Sequence, residues 1–146
     1  MAKFIGPVVD DLVAILKKYT PQTLGGLEPF VDFGKAFTGV VPNFPATWVM
    51  PVRTLFDPEG SLVGEQHQLV VKYGVSGSEP DALEVAGVRY MKALDDAIGL
   101  AVPGDWQVTP KNVFITEHDY GSLFSHAGGL MAKFPEMHVL VEIEEL

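Results

Sequence analysis

Val8, Leu12, Ile15, Leu16 and Tyr19 recur at spacings of three and four, which gathers apolar side chains on one face of a helix. This predicts a first helix over residues 7–19. Pro7 suits a first turn, because its missing N–H would have no partner there. Pro21 is expected to stop the helix. Residues 20–46 follow no single period. They hold Gly25-Gly26, Pro29, Gly34, Gly39, Pro42 and Pro45, with Phe30, Phe33, Phe37 and Phe44 between them. Three of these phenylalanines recur at helical spacing and allow a short helix over 28–37. Otherwise the segment is a long loop, and long ordered loops tend to carry function.

The period then changes to two. Residues 46–56 are rich in β-branched and aromatic residues, with Pro51 confining the strand to an edge or a bulge. Asp57-Pro58-Glu59-Gly60 signals a turn. In the next strand, 65–75, Leu69, Val71, Tyr73 and Val75 alternate with Gln68, Val70 and Lys72. A second helix over 79–98 carries an apolar stripe that includes Leu83, Gly87, Tyr90, Met91, Leu94 and Ile98. Ser78 is its predicted N-cap, with Asp81 at the capping-box position. Two further strands are predicted, one from 108 or 112 to 117 and one over 138–144. A loop or short helical turn separates them. The order α-β-β-α-β-β predicts one α+β domain spanning 1–146: a four-stranded, mainly antiparallel sheet with two helices on one face and a long loop after the first helix.

Composition narrows the function classes. The chain has 146 residues and a formal net charge of −9, from 10 basic and 19 acidic residues. Binding the outside of a nucleic acid is disfavoured, because phosphates must be neutralised by lysine and arginine. Passage of DNA through an acidic channel remains open. The basic residues are scattered, and the only adjacent pair is Lys17-Lys18. With no cysteine, disulfides and thiolate-held metals are excluded. The first residues predict no signal peptide. No run reaches ~18 uncharged apolar residues, so no membrane span is expected.

Candidate chemistry is sparse. His67, His118, His126 and His138 make no H-E-x-x-H pattern. In Glu117-His118-Asp119, strand alternation sends the histidine away from the two carboxylates, so a metal site is not expected. Asp10-Asp11 and Asp95-Asp96 are neighbours on helices and diverge by about 100°, so each is expected on a solvated face, not in a carboxylate dyad. Ser125-His126 lacks the spacing of a nucleophile and its base. Gly128-Gly129 has no phosphate-binding context. Neither catalytic residues nor a cofactor is expected. Phe30, Phe33, Phe37, Phe44, Trp48 and Trp106 are the candidate subunit or partner contacts, weighed against packing in the domain's own core.

Four stretches carry a family resemblance. Phe44-Pro45-Ala46-Thr47-Trp48-Val49 and His67-Gln68-Leu69-Val70-Val71-Lys72-Tyr73-Gly74-Val75 lie in the first two long strands. Arg89-Tyr90-Met91-Lys92-Ala93-Leu94 lies in the second helix, and Val139-Leu140-Val141-Glu142-Ile143 closes the chain. With the element order, they resemble the tail terminator (tail completion, head–tail joining) proteins of long-tailed bacteriophages. The resemblance implies a homo-hexameric ring that caps the tail tube and ends its polymerisation. It implies as partners the tail-tube protein and a head connector or stopper protein, with DNA passing unbound through the channel. It implies a place in the virion after assembly in the host cytoplasm, without membrane contact. Alternatives are another connector or stopper protein of the phage neck, a host protein that binds a partner through the phenylalanine loop, or a small-molecule-binding α+β enzyme built around Tyr120–Gly129 with His118 and His126.

Overall fold

The computed structural model describes residues 5–35, 43–56, 64–125 and 127–143. Two helices, α1 (Ile5–Thr23) and α2 (Pro80–Gly99), are joined to seven strands. The strands are β1 (Asp32–Gly34), β2 (Ala46–Phe56), β3 (Glu65–Gly77), β4 (Pro110–Asp119), β5 (Leu123–Ser125), β6 (Met131–Lys133) and β7 (Glu136–Ile143). The α+β class with two helices is therefore as expected. The four-stranded sheet and the α-β-β-α-β-β order are not, for three reasons.

First, the described part of 28–37 forms no helix. Its residues 32–34 extend as β1 and pair in parallel with Ala46–Trp48 of β2. Phe30 turns into the core at their start, and the Val31 N–H donates to the Pro45 carbonyl at 2.8 Å. Second, the predicted loop before the last strand contains β5 and β6. Third, these short strands continue their long neighbours. Val75 lies opposite Lys133 and Lys72 opposite Glu136, so β6 and β7 run against β3 in one unbroken register. Phe134-Pro135 interrupts them because proline has no N–H for the ladder. The Tyr73 N–H bridges the gap by donating to the Pro135 carbonyl at 3.1 Å. Across the same gap, β4 pairs with β7 and β5 with β6, giving one long bent hairpin.

The strand predicted over 46–56 is matched residue for residue by β2, and of the edge or bulge expected at Pro51 the structure shows an irregular register between Pro51 and Arg53. Helix ends differ more. α1 runs through Pro21 to Thr23. A proline breaks a helix by losing one backbone bond and crowding the carbonyl four residues back, and here only the last turn remains to be affected. Tyr19, Thr20 and Leu24 stay buried on the same side and hold that turn. α2 begins with Glu79, not Ser78, as N-cap, and no side chain caps it. Pro80 opens the helix instead, with a fixed φ suited to that position.

Strand alternation sets the two faces. Leu69, Val71, Tyr73 and Val75 of β3 join Met137, Val139, Val141 and Ile143 of β7 in one core beneath both helices. α1 contributes Val8, Leu12, Ile15 and Leu16, and α2 contributes Leu83, Met91 and Leu94. Phe30 packs on Tyr73 and Tyr90 with ring centroids 6.4 and 5.1 Å apart. The Tyr73 hydroxyl donates to the Gly87 carbonyl, and the Tyr90 hydroxyl to the Glu28 carbonyl at 2.6 Å. Burial pushes the Tyr73 phenol far up and the Tyr90 phenol to about 12, so both hydroxyls serve as donors. The other face of the sheet carries no described helix.

Candidate interaction surface

The helix-free face is built from the even-numbered positions of β3 and β7. Lys72, Glu136 and Asp119 stand side by side across β3, β7 and β4. Lys72 bonds to Glu136 at 3.2 Å. Next along, His138 has its Nε2 3.5 Å from Glu117 and 3.6 Å from Glu136. Gln66 and Asn112 both donate to Glu142, at 3.3 and 3.2 Å. Carboxylates thus outnumber cations along β4 and β7. No group of three potential metal ligands occurs among the described residues.

At the hairpin's bend these charges meet aromatic rings. Phe134 lies over Gly74, flanked by Phe44 on one side and Phe124 on the other, with centroids 6.0 and 6.3 Å away. Gly121 turns the chain in front of them with φ of 69°, and a Cβ there would lie 3.1 Å from the Phe134 carbonyl oxygen. The Asp119 carboxylate accepts the Gly121 N–H at 2.9 Å and holds this turn. Beside them lies a cleft of about 600 Å³, lined by the polar Lys72, Asp119 and Glu136 and by the rings of Phe124 and Phe134. That volume falls within the roughly 300–1,000 Å³ of ordinary binding pockets. Phe124 is 54% exposed, and Phe114 and Phe56 are also open to solvent.

The candidate contacts read from the sequence scatter. Phe30 is buried in the domain's core, and Phe33 packs at its margin, 5.8 Å from Phe30. Trp106 is half-buried against the same core. Trp48 is buried although its register partner is Lys72, which places it on the helix-free side. Phe44 is half-buried and packs on Phe134, whose ring lines the cleft. Phe37, His126 and the Asp57–Gly60 turn lie outside the described residues. The structure thus brings Phe44 against Phe134, a ring of the cleft, and leaves the other described candidates elsewhere in the domain. The remaining cleft residues were missed, because only the pairing of β4 with β7 and of β5 with β6 assembles them.

The other polar clusters serve the fold. Asp11 is buried, not solvated, and its Oδ2 accepts the N–H groups of Gln107 and Val108 at 2.9 and 3.5 Å. Asp10 is exposed and pairs with Lys35. Glu117 and Asp119 lie on the helix-free face, and His118 turns to the helices, where it meets Asp95 at 2.8 Å. His67 is fully buried between Thr54 Oγ1, 2.9 Å from its Nδ1, and Glu65, 2.8 Å from its Nε2. The signal for its burial was present in the sequence, since His67 shares the parity of Leu69 and Val71. Desolvation lowers its pKa from the ordinary value, against the opposing pull of Glu65. Asp105 links the turn Pro103–Asp105 to α1, accepting from Lys18 at 2.8 Å and from the Tyr19 hydroxyl at 2.6 Å. These two donors, with the Val102 N–H, push its carboxyl down to about 2.

No helix among the described residues is long and apolar enough to cross a membrane. No protein-family model matches the chain, and no curated protein matches it.

Proposed function

We propose that this chain is a structural subunit that assembles with copies of itself, of the tail terminator kind suggested by its sequence. In this role a ring of subunits caps a phage tail tube, ends its polymerisation and presents a joining surface to a head connector or stopper protein. The finished ring stands in the virion at the head–tail junction, with DNA passing through without specific binding.

The observation that carries the assembly part is the helix-free face. It combines exposed Phe114 and Phe124 with a cleft and an excess of carboxylates. Exposed aromatic surface beside polar groups marks a contact with another macromolecule. The tail-capping part rests on the sequence resemblance, and the net negative charge accords with a channel to which DNA does not stick. In the small-molecule alternative His118 would share a pocket with the Tyr120–Gly129 loop; His118 turns toward Asp95, while Gly121, Ser122 and Phe124 of that loop line the cleft.

Light scattering and negative-stain imaging of the pure protein, alone and with purified tail tubes, test the proposal. Rings, or rings seated on tube ends, are expected. A strict monomer at high concentration that forms no ring when tubes are added would overturn it. Binding to purified heads in place of tubes would assign the chain to a connector or stopper position.

A further inference from the structure

We propose that Arg89 of one copy enters the cleft of the next, with Val85 and Val88 packing on its aromatic rim. This deepens the assembly reading above and rests on it. The cleft is specific about its occupant. The two rings in its lining, Phe124 and Phe134, favour a flat group. Its lining also carries two carboxylates, Asp119 and Glu136, with Glu117 beyond. The one cation in the lining, Lys72, is already paired with Glu136. A planar, delocalised cation satisfies both the rings and the carboxylates, because a guanidinium stacks flat on rings and forks onto carboxylates where an ammonium cannot.

The sequence contains two arginines, Arg53 and Arg89. Arg53 pairs in register with Gln68, so it shares a face with the cleft and cannot approach it from a facing copy without turning the sheets toward each other. Arg89 lies on α2, whose Gly87, Tyr90, Met91 and Leu94 face the sheet. Arg89 is exposed and makes no ion pair with any described residue. It stands beside Val88 and one turn from Val85, which are 52% and 59% exposed. An arginine set among exposed apolar side chains has the composition of an interface centre.

The two patches lie in opposite layers: Arg89 outside the helices, the cleft on the far side of the sheet. A patch that fits a different patch on the next copy makes a heterologous contact, which closes into a ring or runs on as a filament. A symmetric pair would need both patches on one face, so that each copy's Arg89 met the other's cleft at once. The contact therefore supplies the head-to-tail geometry that a ring requires.

The absence of native cysteine allows a direct test by disulfide trapping. Arg89→Cys and Ser122→Cys proteins are prepared separately, mixed and oxidised. Ser122 lines the cleft and is exposed, so its replacement spares the packed core. The mixture is expected to give the 89–122 disulfide, and neither protein alone a dimer. In parallel, Arg89→Glu is expected to shift the oligomer to monomer in mass photometry while leaving the circular dichroism spectrum unchanged. An 89–89 or 122–122 disulfide would show a symmetric interface and overturn the inference. Rings that survive Arg89→Glu, with no 89–122 product, would overturn it but leave the ring proposal standing. A wild-type protein that never assembles would remove both.

Discussion

The Phe134 ring rests on the bare backbone of Gly74, so close that a Cβ there would lie 2.9 Å from its Cε1. Phe44 approaches the same point to 3.0 Å. Any side chain at position 74 must push out one ring or both. Gly74→Ala is expected to destabilise the fold by about 1–3 kcal/mol, the usual cost of overpacking. Chemical denaturation measures this. The matching change Phe134→Leu in the Gly74→Ala background should recover part of the loss, and strict additivity of the two costs would show that the contact is not the cause.

Asp11 joins α1 to the segment just before β4 through two backbone N–H groups, those of Gln107 and Val108. Removing a buried acceptor strands its donors, at about 1–3 kcal/mol. Asp11→Ala should lose stability in that range, whereas Asp10→Ala, at an exposed neighbour, should stay within about 0.5 kcal/mol. Equal effects at the two positions would contradict the burial of Asp11.

His67 makes stability depend on pH in a definite direction. Its pKa is lowered in the folded protein by burial. Below the ordinary value of about 6.5 the unfolded chain takes up a proton that the folded chain resists. Its contribution is therefore complete above about pH 6.5 and is lost as pH falls toward the folded pKa, with a limiting slope of about 1.4 kcal/mol per pH unit. Urea denaturation from pH 7.5 to 5 should show this decline, and His67→Gln should flatten it. A slope unchanged by that substitution would assign the decline to other groups.

Lys133 is fully buried across Gly87, and its ammonium reaches half-exposed Glu84. Breaking such a pair by removing one partner costs more than replacing the buried charge with an apolar chain of similar shape. Lys133→Met should therefore fall within about 1.5 kcal/mol of wild type, as a shape-conserving change does. Glu84→Ala, which leaves the ammonium without its partner, should destabilise more than Lys133→Met. Thermal unfolding of both variants decides the order.

Much of the architecture was visible in local patterns. The apolar stripe of α2 and the period of two in β3 follow from side-chain direction alone, since each regular structure has one period. Parity also separates Lys72 from Tyr73, and so the surface of the sheet from its core. The irregular register at Pro51 was visible for the same local reason, because proline cannot supply a ladder donor.

Other features depend on distant partners. β1 is three residues long and has no period of its own; it exists because Pro45 and Ala46–Trp48 offer it an edge. Asp11 looks like any carboxylate near a helix start until Gln107 arrives above it. The register slip between Ile115 and Glu117 decides that His118 faces α2 while Glu117 and Asp119 face away. Alternation shows that the histidine and the carboxylates diverge, but not which layer each enters.

The amino-acid order thus determined the α+β class, the two helices, the course of β2 and β3 and the composition of the core, because these depend on residues a few positions apart. The cleft was decided by tertiary structure alone. Lys72, Asp119, Phe124, Phe134 and Glu136 come from four strands and the interruption between two of them. Each is unremarkable in its own segment, and only cross-strand registers, set by the packing of the whole sheet, bring them together.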